Sequence, residues 1–127
     1  MDINIPAVMA EVEAAFRRYE VALNENDLAA LDDSFWQSAL TIRYGVGENL
    51  HGIEEIRAFR TGRLTVGLRR SIERTVITTF GRDFATASTL FHRDSMVGKI
   101  GRQMQSWVRF PEGWRVVAAS VSVIAAS

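Results

Sequence analysis

The stretch IGRQMQSWVRF-PEG-WRVVAASVSVI, Ile100 to Ile124, decides the fold, because two long β-rich runs meet across Pro111-Glu112-Gly113. Apolar and polar residues alternate on both sides of a turn, the pattern of an antiparallel hairpin. With Glu112-Gly113 as a two-residue loop, Gln105 pairs with Ser120 and Trp107 with Ala118 on one face, which is small and polar with an aromatic rim. Val108, Val117, Val121 and Val123 then share the other face, flat and β-branched, suited to packing against another subunit. A slip of one residue would exchange these partners.

Working outward, Leu68 to Phe80 and Phe84 to Arg93 are also β-rich, and Gly81-Arg82-Asp83 and a loop around Asp94 to Gly98 separate the runs. Strands joined by such short links predict an antiparallel meander. Before Gly67 the period is helical. From Pro6, the apolar residues Val8, Val12, Ala15, Phe16, Tyr19 and Leu23 recur at three- and four-residue steps. Asp27 or Asn26 can cap a short second helix through Leu28 and Leu31. Leu40 to Tyr44 reads as a strand, Glu48-Asn49-Leu50 as a brief extended piece, and Gly52 introduces a third helical segment, Ile53 to Leu64. The 127 residues therefore predict one α+β domain, with three N-terminal helices packed on a strongly curved, mostly antiparallel sheet that encloses a pocket.

Fourteen of the fifteen basic residues are arginine, Lys99 being the exception. Two of them fall where apolar side chains belong: Arg43 inside its strand and Arg60 in the apolar stripe of the third helix. A guanidinium stays charged and presents a rigid fork of donors, so burying one demands an anion, a carbonyl or water. That points to a pocket for something small and carboxylated. For Arg60 and Arg63 the competing reading is snorkelling, the stem covering apolar surface and the head escaping at the edge. Tyr19 lies on the buried stripe of the first helix, where it is either a core tyrosine bonded to a backbone carbonyl or a proton donor beside Arg43.

Other classes find less support. Fifteen acidic residues balance the fifteen basic ones, so net charge does not favour a nucleic-acid partner. No cysteine is present, which excludes disulfides, thiolate metal sites and cysteine nucleophiles. His51 and His92 have no metal-ligand spacing, so neither a metal nor another cofactor is expected. Gly45-Val46-Gly47 lacks the later glycine of a dinucleotide site. The start Met1-Asp2-Ile3-Asn4 is acidic and no apolar run approaches the roughly twenty residues of a membrane span, so the expectation is a cytoplasmic protein with no membrane partner.

Several segments taken in order resemble one known family: Arg18-Tyr19-Glu20, Arg43-Tyr44-Gly45 with Glu48-Asn49, Gly52-Ile53 running to Ala58-Phe59-Arg60, Thr78-Thr79-Phe80-Gly81, Gly101 to Trp107, and Gly113 to Ala119. Together they are similar to the AtzH-like branch of the SnoaL-like, nuclear-transport-factor-like superfamily. The resemblance implies a cone-shaped fold with its cavity between helices and sheet, paired into homodimers through the outer sheet face. It implies a metal-independent enzyme of cyanuric acid or oxalurate catabolism that removes a carboxylated unit from a small urea, as in 1,3-dicarboxyurea to allophanate. Tyr19 and Arg43 stand at the positions of the family's catalytic pair. Ser120 stands where the family usually has histidine. If that histidine takes part in substrate binding or proton transfer, the serine implies altered substrate choice or reduced activity.

The residues and the resemblance lead to one expectation. Arg43 holds a carboxylate beside Tyr19, which donates a proton to nitrogen or orients a water, while Arg60, Gln105, Trp107 and Ser120 complete the substrate-binding wall. Two other readings remain open on the same scaffold. One is a noncatalytic binding module for a small dicarboxylate. The other is a ketosteroid-isomerase-like proton shuttle, which needs an inward-facing carboxylate base that no strand clearly supplies.

Overall fold

The structure, a computed structural model, describes residues 1–63 and 68–126. Leu64 and Gly67, named above at the end of the third helical segment and at the change of period, lie outside the described residues. The first helix, α1, spans Pro6–Glu25 and buries every residue of the predicted stripe. Pro6 occupies its first turn, where the missing N–H has no helical partner to lose. Asn26 ends the helix in the left-handed conformation, and Asp27 then caps α2, Leu28–Asp33, by accepting a hydrogen bond from the Ala30 N–H at 3.1 Å.

Two short strands follow, β1 at Ile42–Tyr44 and β2 at Asn49–His51, and then α3, Ile53–Gly62. The predicted strand at Leu40 begins two residues late, because Ser38 to Leu40 form a bend and turn and leave the Leu40 side chain exposed. The meander runs through β3 at Ser71–Phe80, β4 at Phe84–His92, β5 at Lys99–Phe110 and β6 at Gly113–Ala125. The six strands lie in the order β2-β1-β6-β5-β4-β3. All neighbours are antiparallel except β1 and β6, and the sheet is open rather than closed. The helices cover one face. Phe35, Leu31, Ile56, Val12, Trp107 and Val116 are fully buried between the layers.

The hairpin forms where predicted, with a different register. Phe110 pairs with Gly113, so the loop is Pro111-Glu112, and Gly113 at φ 125° takes a conformation that favours glycine. A bulge then follows, since Trp107 pairs with Val116 and Ser106 with Ala118, leaving Val117 without a direct partner. An extra residue reverses the facing of everything beyond it. Gln105 consequently pairs with Ala119, while Ser120 pairs with Met104 and Tyr44 on the outer face. Val121 and Val123, expected on the outer face, instead pair with Gln103 and Gly101 on the helix-covered one.

Gly101 shows how close the packing is on that inner face. A Cβ built there would lie 2.2 Å from the Phe91 ring, which is itself fully buried. We expect Gly101→Ala to lower unfolding free energy by about 1–3 kcal/mol in urea titrations, the usual penalty of overpacking. Adding Phe91→Leu should recover part of that loss if the clash is its cause.

Candidate functional site

One cross-strand row on the inner face carries the chemistry. Reading across the sheet, Ile77, Ala87, Gln105, Ala119, Arg43 and Leu50 are successive partners, so Arg43 and Gln105 flank the small Ala119 and face the helices. Arg43 donates to Glu48 Oε1 at 3.1 Å, and its guanidinium lies 5.6 Å from the Phe59 ring centroid. From α3, Arg60 stacks over Phe35 at 4.5 Å and donates from Nη1 to Asp32 Oδ1 at 2.9 Å. Tyr19 of α1 packs on the same Phe35, ring centroids 6.2 Å apart. Tyr19 and Arg60 are thus held against one aromatic ring, both almost wholly buried.

Burial pushes the Arg60 guanidinium below its ordinary value; Tyr19 and Asp32 oppose that, and the cation of Arg43 adds to it. Arg63, which the sequence left at a helix edge, also belongs here. Its Nε and Nη2 are enclosed, with no hydrogen-bond partner among the described residues, so these donors do not escape to water. Burial lowers Arg63 as well, reinforced by Arg43 and Arg60.

Two glutamines extend the donor array. Trp107, 1 % exposed, donates its indole N–H to Gln105 Oε1 at 3.2 Å. Arg70 Nη2 donates to Gln103 Oε1 at 2.9 Å, and the same guanidinium is paired with Glu20. With their carbonyl oxygens engaged, both amides bury their Nε2 donors, and neither finds an acceptor among the described residues. Gln103 and Gln105 are 3 % and 2 % exposed, so water at the surface does not satisfy them. Arg60 Nη2 is likewise enclosed and unpartnered. A buried region with this many free donors is matched to an anion or a carbonyl rather than to a cation.

Four of the six predicted residues, Tyr19, Arg43, Arg60 and Gln105, therefore lie between the helices and the sheet. Trp107 lies in the core and acts on that space through Gln105 instead of forming a rim. Ser120 does not join them, because the bulge at Val117 sends it to the exposed outer face. Glu48, Asp32, Gln103, Arg63 and Arg93 were missed or set aside. Arg63 had been weighed beside Arg60, and of the others Gln103 had a usable signal, standing two residues from Gln105 on the same strand face. Among the described residues no group of three His, Asp or Glu converges as a metal site. Among the described residues no helix is long and apolar enough to cross a membrane.

A groove of about 540 Å³ between α1 and β3, whose lining includes Phe16, Arg17, Glu20, Ile72 and Ile77, meets the row at its Ile77 end and includes neither Tyr19 nor Arg43.

Similar folds come from several bacteria. A protein of unknown function from Pectobacterium atrosepticum superposes with a TM-score of 0.95 at 59% identity, covering 98% of this chain and 96% of that one. A cystatin-like fold protein from Burkholderia xenovorans gives a TM-score of 0.95 at 50% identity, covering 100% and 99%. A nuclear transport factor 2-like protein from Salmonella enterica shares the fold at 22% identity with a TM-score of 0.76, covering 95% and 94%. No curated protein matches the sequence. The AtzH-like family matches residues 1–127, so the chain belongs to the AtzH-like family.

Proposed function

We propose that this protein is a metal-independent enzyme that cleaves a carbon–nitrogen bond of a small carboxylated urea, of the type 1,3-dicarboxyurea to allophanate. The observation that carries the reading is the set of buried, unpartnered donors, Arg60 Nη2, Arg63 Nε and Nη2, and the Nε2 atoms of Gln103 and Gln105. Arg60 and Tyr19 are held against the same Phe35 ring. Family membership supports the same substrate class.

In the proposed step, the bond between a terminal carboxylate carbon and the urea nitrogen breaks. Its electron pair stays on nitrogen, which takes a proton from the Tyr19 hydroxyl, and the carbon leaves as carbon dioxide. The phenolate is then reprotonated from solvent. Arg43, held on one side by Glu48, keeps its other nitrogens for the urea and fixes its plane beside Tyr19. Gln105 donates to the central carbonyl, and Trp107 prevents the amide from flipping.

Tyr19→Phe should bind substrate normally and lose roughly a hundred- to ten-thousand-fold in kcat, the usual worth of a positioned acid. Arg43→Ala should damage both KM and kcat. Carbon dioxide release from isotope-labelled 1,3-dicarboxyurea, followed by NMR, measures these effects. Full turnover in the Phe variant removes Tyr19 from the mechanism. Tight binding without turnover in the wild type makes the protein a binding module instead.

A homodimer through the outer sheet face belongs to the same proposal. Tyr44, Ser120, Met104, Ser88 and Val76 form one row there, with Tyr44, Met104 and Val76 exposed. Three exposed apolar side chains interleaved with serines on one row are suited to a partner. Light scattering should find a dimer that Met104→Glu converts to monomer, and an unchanged mass for that variant excludes this face.

A further inference from the structure

Five guanidiniums, of Arg43, Arg60, Arg63, Arg70 and Arg93, are close enough to act on one another, and three of them are paired with carboxylates: Arg43 with Glu48, Arg60 with the Asp32 that Arg57 also approaches, and Arg70 with Glu20. Arg63 and Arg93 have no carboxylate partner among the described residues. Arg93 lies 4.9 Å from the centroid of the Phe91 ring, which Arg70 also approaches at 4.7 Å. It donates from Nε to the Leu68 carbonyl at 3.2 Å. Gln103, bound to Arg70 through its oxygen, adds an enclosed amide donor to this side of the site.

Burial lowers both Arg63 and Arg93 from the ordinary arginine value, and neighbouring guanidiniums push the same way: Arg43 and Arg60 on Arg63, Arg70 and Arg63 on Arg93. An arriving anion relieves that repulsion.

Building on the reaction proposed above, we infer that Arg63 and Arg93, with the Gln103 amide, hold the carboxylate that survives the reaction, so that the site selects dianionic ureas over monoanionic ones. The two ends of a dicarboxylated urea have different needs. The end that departs as carbon dioxide loses its charge as the bond breaks. A strong cation on it would stabilise the ground state more than the transition state and slow the step. Arg43 and Arg60, already shared with Glu48 and Asp32, are the weaker cations, and Arg60 shares the Phe35 ring with Tyr19. The surviving end keeps its charge throughout, so unshared cations bind it without opposing the chemistry. Arg63 and Arg93 meet that requirement.

Glutarate and its half-amide, glutaramate, test the assignment without any turnover. Glutarate spans the same number of atoms between carboxylates as a dicarboxylated urea and has no scissile bond; glutaramate keeps one charge. By titration calorimetry the wild type should prefer glutarate by roughly ten- to a hundredfold, the worth of one charge-assisted hydrogen-bonded contact. Arg63→Met and Arg93→Met keep the aliphatic stems and should each lose most of that preference, with glutaramate affinity little changed. Arg93→Lys keeps the charge and should retain part of it.

Melting temperatures of both Met variants check that the fold is intact. If a Met variant does not fold, the Lys variant and the other position decide. Equal binding of the two ligands by the wild type, or a preference unchanged in the variants, overturns the assignment. Dianion preference without turnover of 1,3-dicarboxyurea sinks the proposed reaction and leaves the subsite standing; turnover without dianion preference does the reverse.

Discussion

A guanidinium enclosed by protein must be met by acceptors, and this fold supplies too few. Among the described residues, Glu48 pairs with Arg43, Glu20 with Arg70, and Asp32 is divided between Arg60 and Arg57, while the remaining enclosed donors meet no acceptor. Leaving a charged donor unpaired in a low-dielectric interior is expensive. A protein retains such an arrangement where a ligand completes it, and the stability forgone without ligand is the counterpart of affinity. The expectation of an anionic or carbonyl ligand rests on this surplus, and the proposed urea chemistry rests on the family as well.

The sheet makes the surplus possible by holding side chains that would otherwise compensate one another. Arg43 and Gln105 are separated on their row only by Ala119, whose small side chain leaves room above it. Trp107 and Arg70 engage the oxygen ends of the two glutamines and so expose only their donor ends. Phe91, seated over Gly101, gives two guanidiniums an aromatic surface on which to rest. Aromatic contact stabilises a cation without consuming its N–H groups. Each of these devices supports a donor and leaves it available.

The helices were readable because their signals are local: a stripe at three- and four-residue steps, a proline in the first turn and an aspartate cap. Arg43, Arg60 and Tyr19 were readable for a related reason, since a charged or hydroxylated side chain on an apolar face contradicts its surroundings within a few residues. Ser120 was misplaced by a single bulged residue at Val117, and nothing in the Val116-Val117 pair distinguishes a bulge from a regular strand. The neutralising carboxylates were not legible either. Asp32 meets Arg60 across 28 positions and Glu20 meets Arg70 across 50, and no periodicity links residues so far apart.

The sequence by itself determined the class of fold, the order of its elements and the presence of cations where a core should be, because periodicity and turn chemistry act over short spans. Only the tertiary structure decided which arginines are neutralised, which amide ends face inward and which face of the last strand meets the helices. Those outcomes depend on the distance between groups remote in the chain and on a register that one extra residue reverses.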